Sequence, residues 1–158
     1  MFGLRKPQSS DALLFSNLLD QSSFYGTFEK DLARAKREVI VESPFISFER
    51  LNYLLPTFRE LSRRGVRVVI NTKPVEEQDV DYGWQVAECI TSLQEAGVDV
   101  LITGGHHRKL AIIDQQILYE GSLNILSQND SCEVMRRICS EQLAVQMINF
   151  IGISKFIR

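Results

Sequence analysis

Short apolar runs and amphipathic stretches alternate along this chain, and the period of each stretch predicts its element. Phe28, Leu32 and Ala35 recur at helical spacing with charged residues between them, which predicts an amphipathic helix over 27–37. A strand over 39–41 follows and is ended by Pro44. Leu51, Leu54, Leu55, Phe58 and Leu61 form the stripe of the next helix. Pro56 lies inside that stripe, and proline costs about 3 kcal/mol in a helix interior, so a kink or a restart is expected there. Gly65 closes the helix, and the β-branched run 66–71 makes a second strand. Beyond the polar, acidic loop that runs from Lys73 to Asp81, Val86, Ile90 and Leu93 mark a helix ending at Gly97, and 98–102 is a third strand. The same join recurs: Gly-Val-Arg-Val at 65–68 and Gly-Val-Asp-Val at 97–100 each stop a helix and start a strand.

The turn 103–105 then delivers the chain to His107. A strand over 108–113 would turn the side chains of His107 and Lys109 to one side and that of Asp114 to the other. A second run, 117–119, leads to Gly121, read as a flexible turn, after which Ser122 and Asn124 share a parity. A polar loop over 127–131, a further strand within 132–138, and a last helix spaced by Leu143, Met147, Phe150 and Ile151 complete the order. Apolar character persists to Phe156 and Ile157, as in a docked tail or a chain continuing into another domain. At the other end, 1–10 reads as a loose lead-in, and Ser10 or Asp11 caps a short helix carrying Leu13, Leu14, Leu18 and Leu19 that is broken over 21–26. The pattern predicts the α/β class, with a mixed sheet flanked by helices on both faces, a lead-in with a short helix over 1–26, and one catalytic unit over 27–158.

Composition narrows the function classes. The chain has 158 residues, enough for one self-sufficient core, and 18 basic against 20 acidic residues leave a net charge of −2. That excludes a uniformly basic nucleic-acid coat and leaves local basic patches open. Cys89, Cys132 and Cys139 form neither a Cys-x-x-Cys pair nor a zinc spacing, so reduced thiols in a cytoplasmic protein are expected. No apolar leader or membrane-length run is present in the sequence, and a soluble protein without stable membrane insertion is expected.

The chemistry concentrates in HRKLAIIDQQILYEGSLN, residues 107–124. Phosphoryl transfer spreads negative charge over non-bridging oxygens, so a site needs a nucleophile surrounded by cations and donors. His107 supplies an imidazole nucleophile, and Lys109, Ser122 and Asn124 supply the donors. An unpaired Lys109 ammonium beside the apolar Leu-Ala-Ile-Ile would be unfavourable, and a phosphate partner resolves that. Asp114 faces away and is expected to anchor backbone or a basic partner. His106 has no lysine two residues on and is expected to be structural or to line the rim. Arg63 and Arg64 suit a helix C-terminus and carry no chemistry. Tyr82 and Trp84 suit either base stacking or burial. Of Arg136 and Arg137, one is expected to grip a polyanion, Arg136 being preferred, and the other to face solvent or pair with Asp114 or Glu120.

His-x-Lys, four residues, Asp, six residues, Gly-Ser-x-Asn resembles the signature of the phospholipase D superfamily, and every signature position is matched in 107–124. The resemblance implies a phospholipase D-like α/β sandwich and catalysis through a covalent phosphohistidine without metal or other cofactor. It implies His107, Lys109, Ser122 and Asn124 as catalytic, with Asp114 and Gly121 structural. Glu133 stands about where relatives keep an acid that orients the histidine. Those enzymes combine two motif copies, whereas this chain has one, so a homodimer with two His107 rings facing each other is implied. Short bacterial nucleases of the superfamily have this single-motif pattern, which implies a nucleic-acid substrate, DNA ahead of RNA. Phospholipid cleavage is the rival. A non-catalytic binding or dimerisation module, fused to or associated with a helicase or restriction system, is the non-enzymatic alternative, since Val-Ile-Val-Glu-Ser-Pro-Phe-Ile-Ser at 39–47 is similar to modules of that kind.

Overall fold

A computed structural model describes residues 9–78, 81, 83–127 and 130–156. Tyr82, Ile157 and most of the lead-in lie outside the described residues. The element order is α1 (Ser9–Leu14), β1 (Asn17–Leu19), α2 (Phe24–Arg34), β2 (Glu38–Glu42), α3 (Phe48–Arg63), β3 (Arg67–Thr72), α4 (Gly83–Glu95), β4 (Asp99–Ile102), β5 (Leu110–Ile113), β6 (Ile117–Gly121), β7 (Met135–Cys139) and α5 (Glu141–Ile151). One seven-stranded sheet takes the order β1-β7-β6-β5-β2-β3-β4. β2, β3 and β4 run parallel, joined through α3 and α4, and every pairing from β2 out to β1 is antiparallel.

Two apolar clusters show how the sheet is covered. On one face Val39, Val41, Val68 and Ile70 pack with Phe24, Phe28, Leu51, Leu54, Phe58, Cys89 and Leu93 from α2, α3 and α4. On the other, Ile40, Val69, Ile112, Leu118 and Ile138 pack against Ala144 and Ile148 of α5, with Ala12 of α1 at the margin. Alternate residues of the central strands serve opposite faces, so those strands read as continuous apolar runs. Gly65 and Gly97 both sit at positive φ, 79° and 86°, and the amides of Val66 and Val98 reach back to Leu61 and Leu93 at 3.0 Å. This is the left-handed helix stop that both repeated joins require.

Three local expectations change. Leu18 and Leu19 are not helical: they belong to β1, whose register on β7 is Leu18 to Arg136 and Leu19 to Met135. The next helix begins at Phe24 and ends at Arg34. α3 runs unbroken through Pro56, with Ser47 Oγ accepting from Arg50 N at its start. Pro56 and Asn52 are exposed, so the Asn52 carbonyl that proline leaves without a partner faces solvent.

Candidate active site

The site forms where β5 begins and β6 ends. Leu110 is opposite Glu120 across the antiparallel pair, which brings the residues just before one beside those just after the other. His107 and Lys109 therefore meet Gly121 and Ser122, and together they line a cavity of about 540 Å³ whose far wall is Met147 and Phe150 of α5. Of the sequence-derived set, His107, Lys109, Gly121 and Ser122 converge here.

Lys109 Nζ lies 3.0 Å from His107 Nδ1 and donates to the His107 carbonyl at 2.9 Å. An ammonium only donates, so Nδ1 is an acceptor and the proton of the neutral ring sits on Nε2. Burial lowers the Lys109 pKa below the ordinary lysine range; the charge of Glu133 opposes that, and the charge of Lys73 adds to it. Ser122 donates its hydroxyl to Glu133 and accepts from Val134 N at 3.0 Å. Ser131 Oγ donates to the same carboxylate at 2.6 Å, and the Ser122 and Ser131 hydroxyls hold Glu133 below the usual carboxylate range. Its acceptor capacity is thus directed to serines, and among the described residues it makes no hydrogen bond to His107 of its own chain.

Asn124 stands beyond the cavity lining, its carbonyl accepting from Ser127 N at 3.0 Å and its Oδ1 buried without a partner among the described residues. The loop it belongs to is stitched down by Tyr25 Oη on Ile125 O at 2.8 Å, by Leu126 N on Ser43 Oγ at 3.0 Å, and by Ser47 N on Leu126 O at 2.9 Å. Gly121 has no positive φ; a Cβ there would run into the Val134 carbonyl and lie 2.9 Å from Met135 Cα. Its role is the close approach of β7, where a flexible turn was expected.

Asp114 lies at the opposite end of β5, in the hairpin turn where it and Gln115 take φ of 52° and 56°. Its carboxylate accepts from the amides of Lys36, Arg37 and Glu38 at 2.9, 2.8 and 3.0 Å, the backbone-anchoring role that strand parity predicts. Arg136 is half-buried and bonds Ser16 Oγ rather than lining the cavity. Arg137 pairs with neither Asp114 nor Glu120: it grips Asp31 through Nε at 2.6 Å and Nη2 at 2.9 Å, beside the Tyr119 hydroxyl. The reason is that β7 alternation turns Arg137 toward α2, which carries Asp31. His106 is 4% exposed, with Nε2 unpartnered among the described residues, and burial lowers its pKa, so it is a buried residue rather than a rim group. Trp84 is 63% exposed.

Sequence reasoning missed one pair at the site. Arg108, the variable residue of His-x-Lys, donates through Nε at 2.6 Å and Nη2 at 3.0 Å to Glu42, whose side chain is 1% exposed and also receives Asn71 Nδ2 at 3.1 Å. The available signal was a glutamate ending the wholly apolar run Val-Ile-Val at 39–41, since a buried carboxylate needs a cation nearby. Among the described residues no three His, Cys, Asp or Glu side chains converge as a metal site, and no helix is long and apolar enough to cross a membrane.

Residues 28–151 match the family model for the cardiolipin synthase, PLD-like domain. Among solved structures, the fold is similar to Nuc from Salmonella typhimurium, a phospholipase D family member, with a TM-score of 0.67 at 16% identity over 85% of this chain and 91% of that one. NucT from Helicobacter pylori aligns at 0.67 and 15% identity with the same coverage, 85% and 91%. TrmBL2, an archaeal chromatin protein described with a novel mode of DNA binding, aligns at 0.60 and 13% identity over 87% of this chain and 50% of its own. No curated protein sequence matches the chain.

Proposed function

The chain belongs to the phospholipase D-like family of phosphodiesterases, and from that premise we propose that it is a metal-independent nuclease that cleaves DNA or RNA through a phosphohistidine on His107. One observation carries the reading: a partly desolvated Lys109 ammonium, without an ion pair among the described residues, is held 3.0 Å from an exposed imidazole at a cavity walled by Ser122. That is a binding place for an anion directly beside a nucleophile.

Substrate phosphate draws Lys109 away from Nδ1, and the ring proton moves to that nitrogen, leaving the Nε2 lone pair to attack phosphorus. The P–O bond to the leaving group breaks as the P–N bond forms, and the departing oxygen takes a proton. The chain has only two histidines, and His106 is buried, so the acid comes from a second copy. In the proposed homodimer the partner's His107 enters the cycle as imidazolium, donates that proton to the leaving oxygen and becomes neutral, then takes one back from the water that displaces the phosphate from nitrogen. Glu133 accepts one hydrogen bond from Ser122 and one from Ser131, which leaves its other carboxylate lone pairs free to orient an imidazole across the proposed two-fold axis.

The test measures cleavage of single- and double-stranded DNA in excess chelator by wild type and His107→Ala, together with an acid-quench assay for phosphohistidine. Wild-type cleavage with labelled His107, and no cleavage by the variant, is expected. Equal rates, or activity restored only by added metal, would overturn the proposal. The apolar wall at Met147 and Phe150 supports a second reading, a lipid phosphodiester as substrate. Turnover of cardiolipin or phosphatidylcholine vesicles in place of DNA would favour it.

A further inference from the structure

Arg108 sits between the two motif residues, His107 and Lys109, yet lies on the α5 side of the sheet with Leu110 and Glu120, and it lines the same cavity. Its side chain is 44% exposed, while Glu42, which holds it, is 1% exposed. Two of the five guanidinium N–H groups are committed to Glu42, one on Nε and one on Nη2, in a fork whose orientation is thereby fixed. The Glu42 carboxylate is itself fixed from behind by Asn71 Nδ2.

A buried ion pair is a poor stability device, because desolvating both partners offsets most of their attraction and an apolar pair of similar volume serves as well. Here one partner is fully buried and the other reaches the cavity. The arrangement orients the remaining donors of Arg108 without spending rotamer entropy at the moment of binding. The cavity extends from His107 and Ser122 past Arg108 to Met147 and Phe150, so it exceeds what one phosphodiester beside Lys109 requires.

Building on the nuclease reading, we propose that Arg108, held by Glu42, is a second phosphate-binding residue that takes the phosphate adjacent to the scissile one in a nucleic-acid strand. Lys109 holds the reacting phosphate as a compact charge; Arg108 presents a planar donor edge to its neighbour. Phe150, 81% exposed on the cavity wall, offers an aromatic face to the intervening base. A diester with a single phosphate makes no use of the Arg108 subsite.

The experiment compares kcat/KM for thymidylyl-thymidine, which has one phosphate, with that for the same dinucleotide carrying an added terminal phosphate and for the trinucleotide. Wild type is expected to gain roughly tenfold or more from the added phosphate, the range of a charge-assisted hydrogen bond. Arg108→Met is expected to erase that gain, with the change in KM. Because that variant strands a buried carboxylate, the Glu42→Gln/Arg108→Met double variant is measured beside it, with thermal melts of both, and is expected to show the same lost gain. No wild-type gain from the second phosphate, or variants that lose equally on all substrates, would overturn the subsite and leave the nuclease reading standing. No wild-type cleavage of any of the nucleotides would overturn both.

Discussion

Asp114 belongs to the motif by spacing and to the scaffold by position, and its surroundings explain how one residue does both. Burial alone would raise its pKa, but the amides of Glu38, Arg37 and Lys36 outweigh that and hold it below the usual 3.8. A carboxyl depressed in the folded state contributes stability that is present above its ordinary value and is lost as pH falls through the lowered one. Asp114→Asn is therefore expected to lower stability at neutral pH by on the order of 1 kcal/mol, allowing for partial exposure, and the gap to wild type should close in acid below about pH 4. Thermal melts of both proteins from pH 7 to pH 3 check this; a gap independent of pH would contradict it. Strand parity had already turned this carboxylate away from His107. What it did not reveal is that three consecutive amides at the start of β2 converge on it, because those belong to a segment 77 residues earlier.

Among the elements, the β6–β7 pairing is where sequence and site meet most tightly. Gly121 lies opposite Met135, and Ser122 N donates to the Val134 carbonyl at 2.8 Å, so the start of β7 and the segment just before it, which carries Glu133, are pressed against Gly121 and Ser122. Gly121→Ala has no room for its methyl and is expected to push β7 outward, costing about 1–3 kcal/mol and at least tenfold in activity as Ser122 leaves Glu133. A melt and a phosphodiesterase assay on the purified variant measure both effects; wild-type values in both would refute the close-approach role. Elements with a strong internal period were legible: α3, α4, β3 and the repeated glycine stops follow from their residues. β1 was not, because three residues with two adjacent leucines carry no strand period, and only β7 supplies the hydrogen-bonding edge that makes them one.

At the scale of the whole molecule, the proposed mechanism makes one motif in one chain half of a two-histidine site, and the proposed dimer has a quantitative signature. When wild type and His107→Ala are mixed equally and allowed to exchange, about one quarter of dimers carry two intact histidines, so activity should fall to about one quarter of an equal total of wild type. A fall to one half would mean that each chain acts alone. The residues by themselves determined the α/β class, the order of most elements and the grouping of His107, Lys109 and Ser122 at one cavity, because apolar periodicity and a chemically specific spacing are local properties of the chain. The tertiary structure decided the rest: that Asp114 anchors β2, that Arg137 answers Asp31, that Glu133 is taken up by two serines, and that Glu42 lies beneath Arg108. Each of those pairings depends on which strands the sheet order makes neighbours, and β2 beside β5 joins residues 66 positions apart that no local pattern connects.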